Sequence, residues 1–203
     1  MSEVVRTKAT PKCGSTGVGS SDYVLSKILT ETIGARIDHV MGYPGSSEIA
    51  LALERGEVMC MGLTIWNYFS REPFLTWKNT NFVRYLAQSG SKRDPRLSDT
   101  PTIYELMDEF KTPPIKRRVA EAMNESGQWS RPLMAHPGTP AVRVAVLRAA
   151  YDKVIRDPDV LAEAKQLRIE VKPNRGEQLQ SMIREVMDQP PEVIEQIRKL
   201  FVQ

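Results

Sequence analysis

Gly14-Ser15-Thr16-Gly17-Val18-Gly19-Ser20-Ser21, running directly into Tyr23-Val24-Leu25-x-x-Ile28-Leu29, is a loop of small residues that opens a helix. Glycines let the backbone turn sharply and approach a ligand, and the free N–H groups at a helix start carry partial positive charge. Such a loop suits a phosphate or a carboxylate. The same residues also suit a plain strand-to-helix turn with Ser20 or Ser21 as N-cap. The octet alone leaves both readings open.

On either side of it, short apolar runs alternate with helical periodicities, which predicts an α/β protein with a mainly parallel sheet. A helix is expected over 20–33, ended by Gly34, then a strand over 36–42. Tyr43-Pro44-Gly45-Ser46-Ser47 forms a second turn, a short helix through Ile49, Leu51, Ala52 and Leu53 follows, and a strand runs from Val58 to Ile65. Both small-residue loops therefore follow an extended segment and open a helix. In a parallel sheet they lie together beyond the carboxyl ends of the strands, where their backbone donors converge. Tyr43 is open to three readings there: a hydroxyl donor, an apolar wall, or a packed turn tyrosine.

Downstream, Phe69, Phe74 and Trp77 recur at loosely helical spacing as core, Phe82 to Ala87 alternates as a strand does, and Ser91 to Asp99 is a polar connector. Thr100-Pro101 and Thr139-Pro140 each read as a capped helix start, and a helix is expected over 115–125. Val142, Val146, Leu147, Ala150, Tyr151 and Val154 line one helix face, and Asp157-Pro158 restarts the helix. A strand is expected at Ile169-Glu170-Val171. Asn174-x-x-Glu177 then resembles a capping box, and a final helix follows Pro190-Pro191.

Several chemistries are excluded. The octet has the outer glycines of a nucleotide phosphate loop, Gly14 and Gly19, but Ser20 stands where that loop requires lysine, so nothing neutralises a transferring phosphate. Ser15, Ser20 or Ser21 as nucleophile needs a histidine base held by a carboxylate. His39 reads as a packed or surface imidazole within a strand and His136 sits in a Pro-Gly turn, so no catalytic residue is assigned. Two histidines and two distant cysteines, without a CxxC pair, assign no metal site and no cofactor. Cys13 and Cys60 are read as buried free thiols or as one disulfide. With 28 basic and 25 acidic residues the net charge of +3 is too balanced for nucleic acid, and Lys116-Arg117-Arg118 reads as a solvated helix face. At 203 residues the chain supports one large domain or two small ones, and no apolar run reaches the ~20 residues that span a bilayer.

Several blocks occur in an order that resembles the tripartite tricarboxylate transporter substrate-binding receptors, also called Bug proteins. These are Gly14 to Ser21, His39-Val40-x-Gly-Tyr-Pro-Gly45, Ala52-Leu-Glu-Arg-Gly-Glu-Val58, Arg93-Asp-Pro-Arg-Leu-Ser-Asp-Thr-Pro-Thr-Ile-Tyr-Glu-Leu106 and Arg131-Pro-Leu-Met-Ala-His-Pro-Gly-Thr-Pro140. The resemblance implies a two-lobed, type II periplasmic-binding-protein fold that closes on a small carboxylate and delivers it to membrane transporter subunits without catalysis. It implies that Ser15, Thr16, Gly17, Gly19 and Ser20 hold the carboxylate, and that Tyr43, Pro44 and Gly45 border the cleft. On the same basis residues 1–11 are a tail, 12–110 the complete second lobe, 111–138 a crossover, and 139–203 the C-terminal helical part of a first lobe only partly present. Met59 stands where the family usually has aspartate. The family location is the periplasm, whereas the polar stretch Met1 to Lys12 reads as no export signal and leaves a cytoplasmic location open. An incomplete first lobe implies exposed apolar surface and self-association, and the alternative function is a truncated, non-transport oligomerising or interaction protein that keeps the fold.

Overall fold

The computed structural model describes residues 1–7, 10–125, 132–169 and 171–201. They fall into two compact units, Met1–Gly127 with Gln189–Gln203, and Gln128–Asp188.

The first unit opens with a short helix, α1 (Ser2–Arg6), whose Val5 packs on the core of this unit. Two βα steps and a third strand follow: β1 (Lys12–Gly14), α2 (Ser21–Ile33), β2 (Asp38–Val40), α3 (Ser46–Glu54) and β3 (Cys60–Met61). The strands form a parallel sheet of order β2-β1-β3, with Cys13 in register with His39 on one side and Cys60 on the other. The step from β1 to β2 moves to one side and the step from β2 to β3 returns past β1. Right-handed crossovers then place α2 and α3 on opposite faces of the sheet. Two separate apolar clusters follow from this: Ile28, Leu29 and Ile33 of α2 on one side, Ile49 and Ala52 of α3 with Val58 on the other.

The parallel α/β architecture expected from the sequence is present, but its strands are shorter than their apolar runs. The strand expected over 36–42 keeps only Asp38–Val40, and that expected over 58–65 keeps only Cys60–Met61, because Thr64 already caps the next helix by accepting from the Asn67 N–H. That helix, α4 (Ile65–Ser70), and α5 (Phe74–Thr80) are separated at Arg71-Glu72-Pro73. Phe74 and Trp77 are core residues as expected, and Trp77 Nε1 donates to Glu54 Oε1 at 2.7 Å. No strand forms over 82–87. The Phe82 N–H closes the end of α5 on the Trp77 carbonyl, and Tyr85 packs edge-on against Tyr68, so aromatic packing overrides the alternation.

Helix α6 (Ile103–Glu109) starts two residues later than Thr100-Pro101 predicts. Its cap is Thr102, whose side chain accepts from Glu105 N–H at 3.1 Å while Glu105 Oε2 accepts from Thr102 N–H at 2.7 Å. Thr100 is buried instead beneath Gln88, whose amide donates to its carbonyl. Helix α7 (Pro114–Glu125) packs on α2. Its basic cluster is more engaged than a solvated face: Lys116 lies 3.7 Å from Glu31, Arg117 pairs with Asp108 and Glu121, and Arg118 donates to Gln189.

The second unit holds α8 (Ala141–Val154), α9 (Pro158–Gln166) and α10 (Gly176–Met187). Asp157 caps α9 as its sequence predicts, accepting from Asp159 and Val160 N–H. Pro140 rather than Thr139 caps α8, and α10 starts after Arg175, whose N–H donates to Gln178 Oε1, one residue beyond the Asn174-x-x-Glu177 frame. Arg148 of α8 reaches Glu177 at 2.7 Å and Gln180 at 3.1 Å on α10. The apolar stripe along one face of α8 is open: within this unit Val142 is 77% exposed and Leu147 57%, and α8 buries no residue. Of the strand expected at 169–171, Glu170 lies outside the described residues, and Ile169 and Val171 are irregular.

The last helix, α11 (Pro191–Phe201), belongs to the first unit, where Val193 is fully buried beside Val119 and Met123 of α7. Tyr23 of α2 donates its hydroxyl to the Leu200 carbonyl at 3.1 Å.

Two leucines of the first unit test this packing. Leu106, 1% exposed in the main cluster, should cost about 2–5 kcal/mol on replacement by alanine. Leu51→Ala on the outer face of α3, 45% exposed, should stay within about 0.5 kcal/mol of the parent in urea unfolding.

Candidate functional site

The carboxyl ends of the three parallel strands point the same way, so the segments 15–20, 41–45 and 62–64 gather at one edge of the sheet. Two close approaches make this edge tight. A Cβ on Gly14 would lie 2.5 Å from Ile49 Cγ2 and 3.4 Å from Tyr43 Cε2, so only glycine lets α3 and the Tyr43 ring close over the end of β1. A Cβ on Gly62 would lie 2.6 Å from Asp22 Cα, which seats the third segment against the first turn of α2.

Ser15 is 1% exposed and joins two of the loops. Its N–H donates to the Val40 carbonyl at 2.9 Å, and its carbonyl accepts from Tyr43 N–H at 3.4 Å. Ser20 Oγ donates to the Gly17 carbonyl at 2.7 Å, which uses its one hydroxyl proton. In the 3.2 Å Ser15–Ser20 hydroxyl pair, Ser15 is therefore the donor. Both hydroxyls, expected to face a ligand, brace the loop from inside.

The outward donors are main-chain groups. Among the described residues the N–H groups of Gly17, Val18, Gly19 and Ser21 have no protein partner, and Ser20 caps α2 without a side-chain bond. They stand at the positive end of a helix of 13 residues. Tyr43 is half-buried against Gly14, Pro44 is exposed, and Gly45 precedes α3. Tyr43 is thus a wall of this edge, packed through its ring. The edge also carries acid: Asp22 Oδ2 accepts from Thr16 N–H at 3.1 Å, and Glu48 Oε2 lies against Gly45.

Cys13 and Cys60 form a disulfide between registered neighbours of β1 and β3, with Cα atoms 4.4 Å apart. The bridge closes a separation of 47 residues directly behind the loop and resolves the choice between free thiols and a bond. The sequence also hid the third segment and Asp22. A glycine closing the third short strand was the available signal for the one, and an acid in the first helical turn for the other.

His39 is a packed imidazole. Its ring centroid lies 4.9 Å from that of Tyr23, its Nε2 lies 3.3 Å from Ser26 Oγ, and neither it nor His136 bonds to a loop serine among the described residues. Burial first, then the Lys27 charge, lowers its pKa from the usual 6.5, against the opposing carboxylates of Asp22 and Asp38. Among the described residues no group of three or more histidine, cysteine or acidic side chains is placed to hold a metal ion, and no helix is long and apolar enough to cross a membrane.

A histidine with a lowered folded pKa takes up its proton less readily than the unfolded chain. Stability is therefore full above about pH 6.5 and falls as the pH drops below it. Urea midpoints measured from pH 8 to pH 5 should decline for the parent chain and decline less for His39→Gln.

Comparison with known proteins places this geometry. The family model described as "Tripartite tricarboxylate transporter family receptor" matches residues 3–199. A search of curated proteins returns no match. Among solved structures, the chain is similar to a TctC solute-binding protein from Polaromonas, crystallised without ligand, at 18% identity and a TM-score of 0.59. That match covers 92% of this chain and 57% of the solved one, so the chain spans little more than half the length of that receptor. The likeness extends the expected periplasmic-binding-protein-like α/β fold to nearly all of the present chain.

Proposed function

Since the chain belongs to the tripartite tricarboxylate transporter receptor family, a family of periplasmic solute-binding receptors, we propose that it binds a small carboxylate for such a transporter, without catalysis. The observation that carries this reading is the row of unpartnered N–H groups from Gly17 to Ser21 at the amino end of α2, with the Tyr43 ring packed beside it. Gly17, Gly19 and the start of α2 act through their backbone, and Thr16 shapes the loop by donating its N–H to Asp22. Ser15 and Ser20 act by bracing, and Tyr43, Pro44 and Gly45 form the border. Each hydrogen bond to a charged carboxylate contributes about 1.5–3 kcal/mol, so three or four such donors are enough to hold one. The Cys13–Cys60 disulfide supports a place in an oxidising compartment such as the periplasm.

The loop is tested by thermal shift of the oxidised chain against a panel of mono-, di- and tricarboxylates and phosphate. A bound acid at 100 times its Kd should stabilise by about 2.7 kcal/mol. Thr16→Pro, which breaks the N–H bond to Asp22 and fixes φ within the loop, should distort the row of donors and lose that shift. A folded chain that responds to no acid would refute the reading.

The open apolar stripe of α8, Val142 to Val154, favours a second role, self-association through this helix face. Light scattering after size exclusion should show a mass above 22.9 kDa that falls toward it in a Val142→Ser, Val146→Ser double variant. A monomer at all concentrations would exclude it.

A further inference from the structure

We propose that the Cys13–Cys60 disulfide is a redox-sensitive latch on the third segment of this edge: a dithiol reductant that opens it frees residues 62–64 from the sheet, while the first two loops keep their places. The inference concerns the fold behind the site and does not depend on which ligand the loops hold.

The strand that carries the third segment has few other ties. β3 has two residues and is an edge strand, paired with β1 alone among the described residues. Beside the ladder at Cys13↔Cys60 and Gly14↔Met61, the Met59 N–H donates to the Lys12 carbonyl at 2.7 Å. The disulfide lies within this short ladder and is its covalent bond, and Gly62 follows two residues later, seated against Asp22 Cα. The first two loops are held differently. β1 pairs over Lys12, Cys13 and Gly14 with β2 on its other side, and Ser15 joins both loops through its N–H and carbonyl, so neither depends on β3. Val58, buried against α3, anchors the start of the strand, which confines the release to the residues beyond it.

The two sulfurs are unequally open to attack. Cys13 is 8% exposed, whereas Cys60 is partly exposed and follows Met59, itself 74% exposed. The thiolate of a dithiol therefore reaches the Cys60 sulfur: a bond forms between these two, the Cys13–Cys60 bond breaks, and Cys13 leaves as a thiolate that takes up a proton. The second thiol of the reductant then displaces Cys60 as a thiolate, which is protonated in turn. The dithiol is oxidised to its cyclic disulfide and the cystine is reduced by two electrons. The fold has a place for both products. Cys60 Sγ lies 3.5 Å from the Lys12 carbonyl, an acceptor for the new S–H, and a buried Cys13 thiol behaves as a small apolar group. A disulfide also has an ordinary role, restraining the unfolded chain. That role alone lowers global stability and leaves the native fluctuations of β3 unchanged, so local hydrogen exchange is the readout that separates the two.

The test is amide hydrogen exchange of the full chain, read by mass spectrometry in the oxidised form, after dithiothreitol without denaturant, and in the Cys13→Ser, Cys60→Ser double variant. Alkylation of a parallel sample counts the thiols released. Dithiothreitol should reduce the bond in the folded chain. The amides of Met59 to Gly62 should then exchange at least about ten-fold faster, while those of Asp38 to Val40 change by less than about two-fold. The double variant should exchange as the reduced chain does, and reoxidation should restore the parent's pattern. If the double variant does not fold, the reduced and reoxidised parent still decide. A bond that is reduced only in urea, exchange over 59–62 left unchanged by reduction, or equal acceleration throughout the first unit overturns the proposal.

Discussion

The backbone of Ser15 holds the working edge of this protein together. Its N–H bonds the last residue of β2 and its carbonyl takes the N–H of Tyr43, so a single residue fixes the first loop against the second. That arrangement needs β1 to be the central strand, flanked by partners on both sides, and needs Gly14 to admit Ile49 and Tyr43 at contact distance. The buried Ser15 hydroxyl adds the inner brace to Ser20. A polar residue this deeply buried is tolerated because each of its polar groups is paired. The disulfide at Cys13, two residues earlier, ties β1 to β3, so the segment that follows the shortest strand is held as closely as the other two.

Binding chemistry follows from that rigidity. With the hydroxyls committed inside the loop, the outward face consists of main-chain N–H groups at the amino end of α2 and of the acid that faces them. Main-chain donors read any carboxylate, because they sense charge and little else. Asp22 is a charged group hydrogen-bonded to the loop itself. The fold thus supplies a row of main-chain donors at the amino end of α2.

The second unit follows different physics. Its helices α8 and α10 are joined by the polar contacts of Arg148 with Glu177 and Gln180, while the apolar stripe of α8 stays open to solvent. A stripe of this kind is ordinarily covered by a sheet or another helix. The solved receptor to which this chain is similar is considerably longer, since 57% of it is matched.

The residue pattern by itself determined the α/β class, the glycine that ends α2, the Asp157 cap and the two small-residue loops, because each depends on local backbone preference or on the period of apolar residues. Block order along the chain was enough to carry the family. Tertiary contacts set the remainder. Strand lengths depend on where a neighbouring strand ends and a helix cap begins, so the apolar runs at 36–42 and 58–65 overstate β2 and β3. The alternating run at 82–87 yields to Tyr68 and Trp77, which lie far enough away in sequence that no local period reports them. The inward turn of the Ser15 and Ser20 hydroxyls, the pairing of Cys13 with Cys60 and the reach of Asp22 to Thr16 all require distances between elements. A sequence records which groups are present, and only packing sets which of them meet.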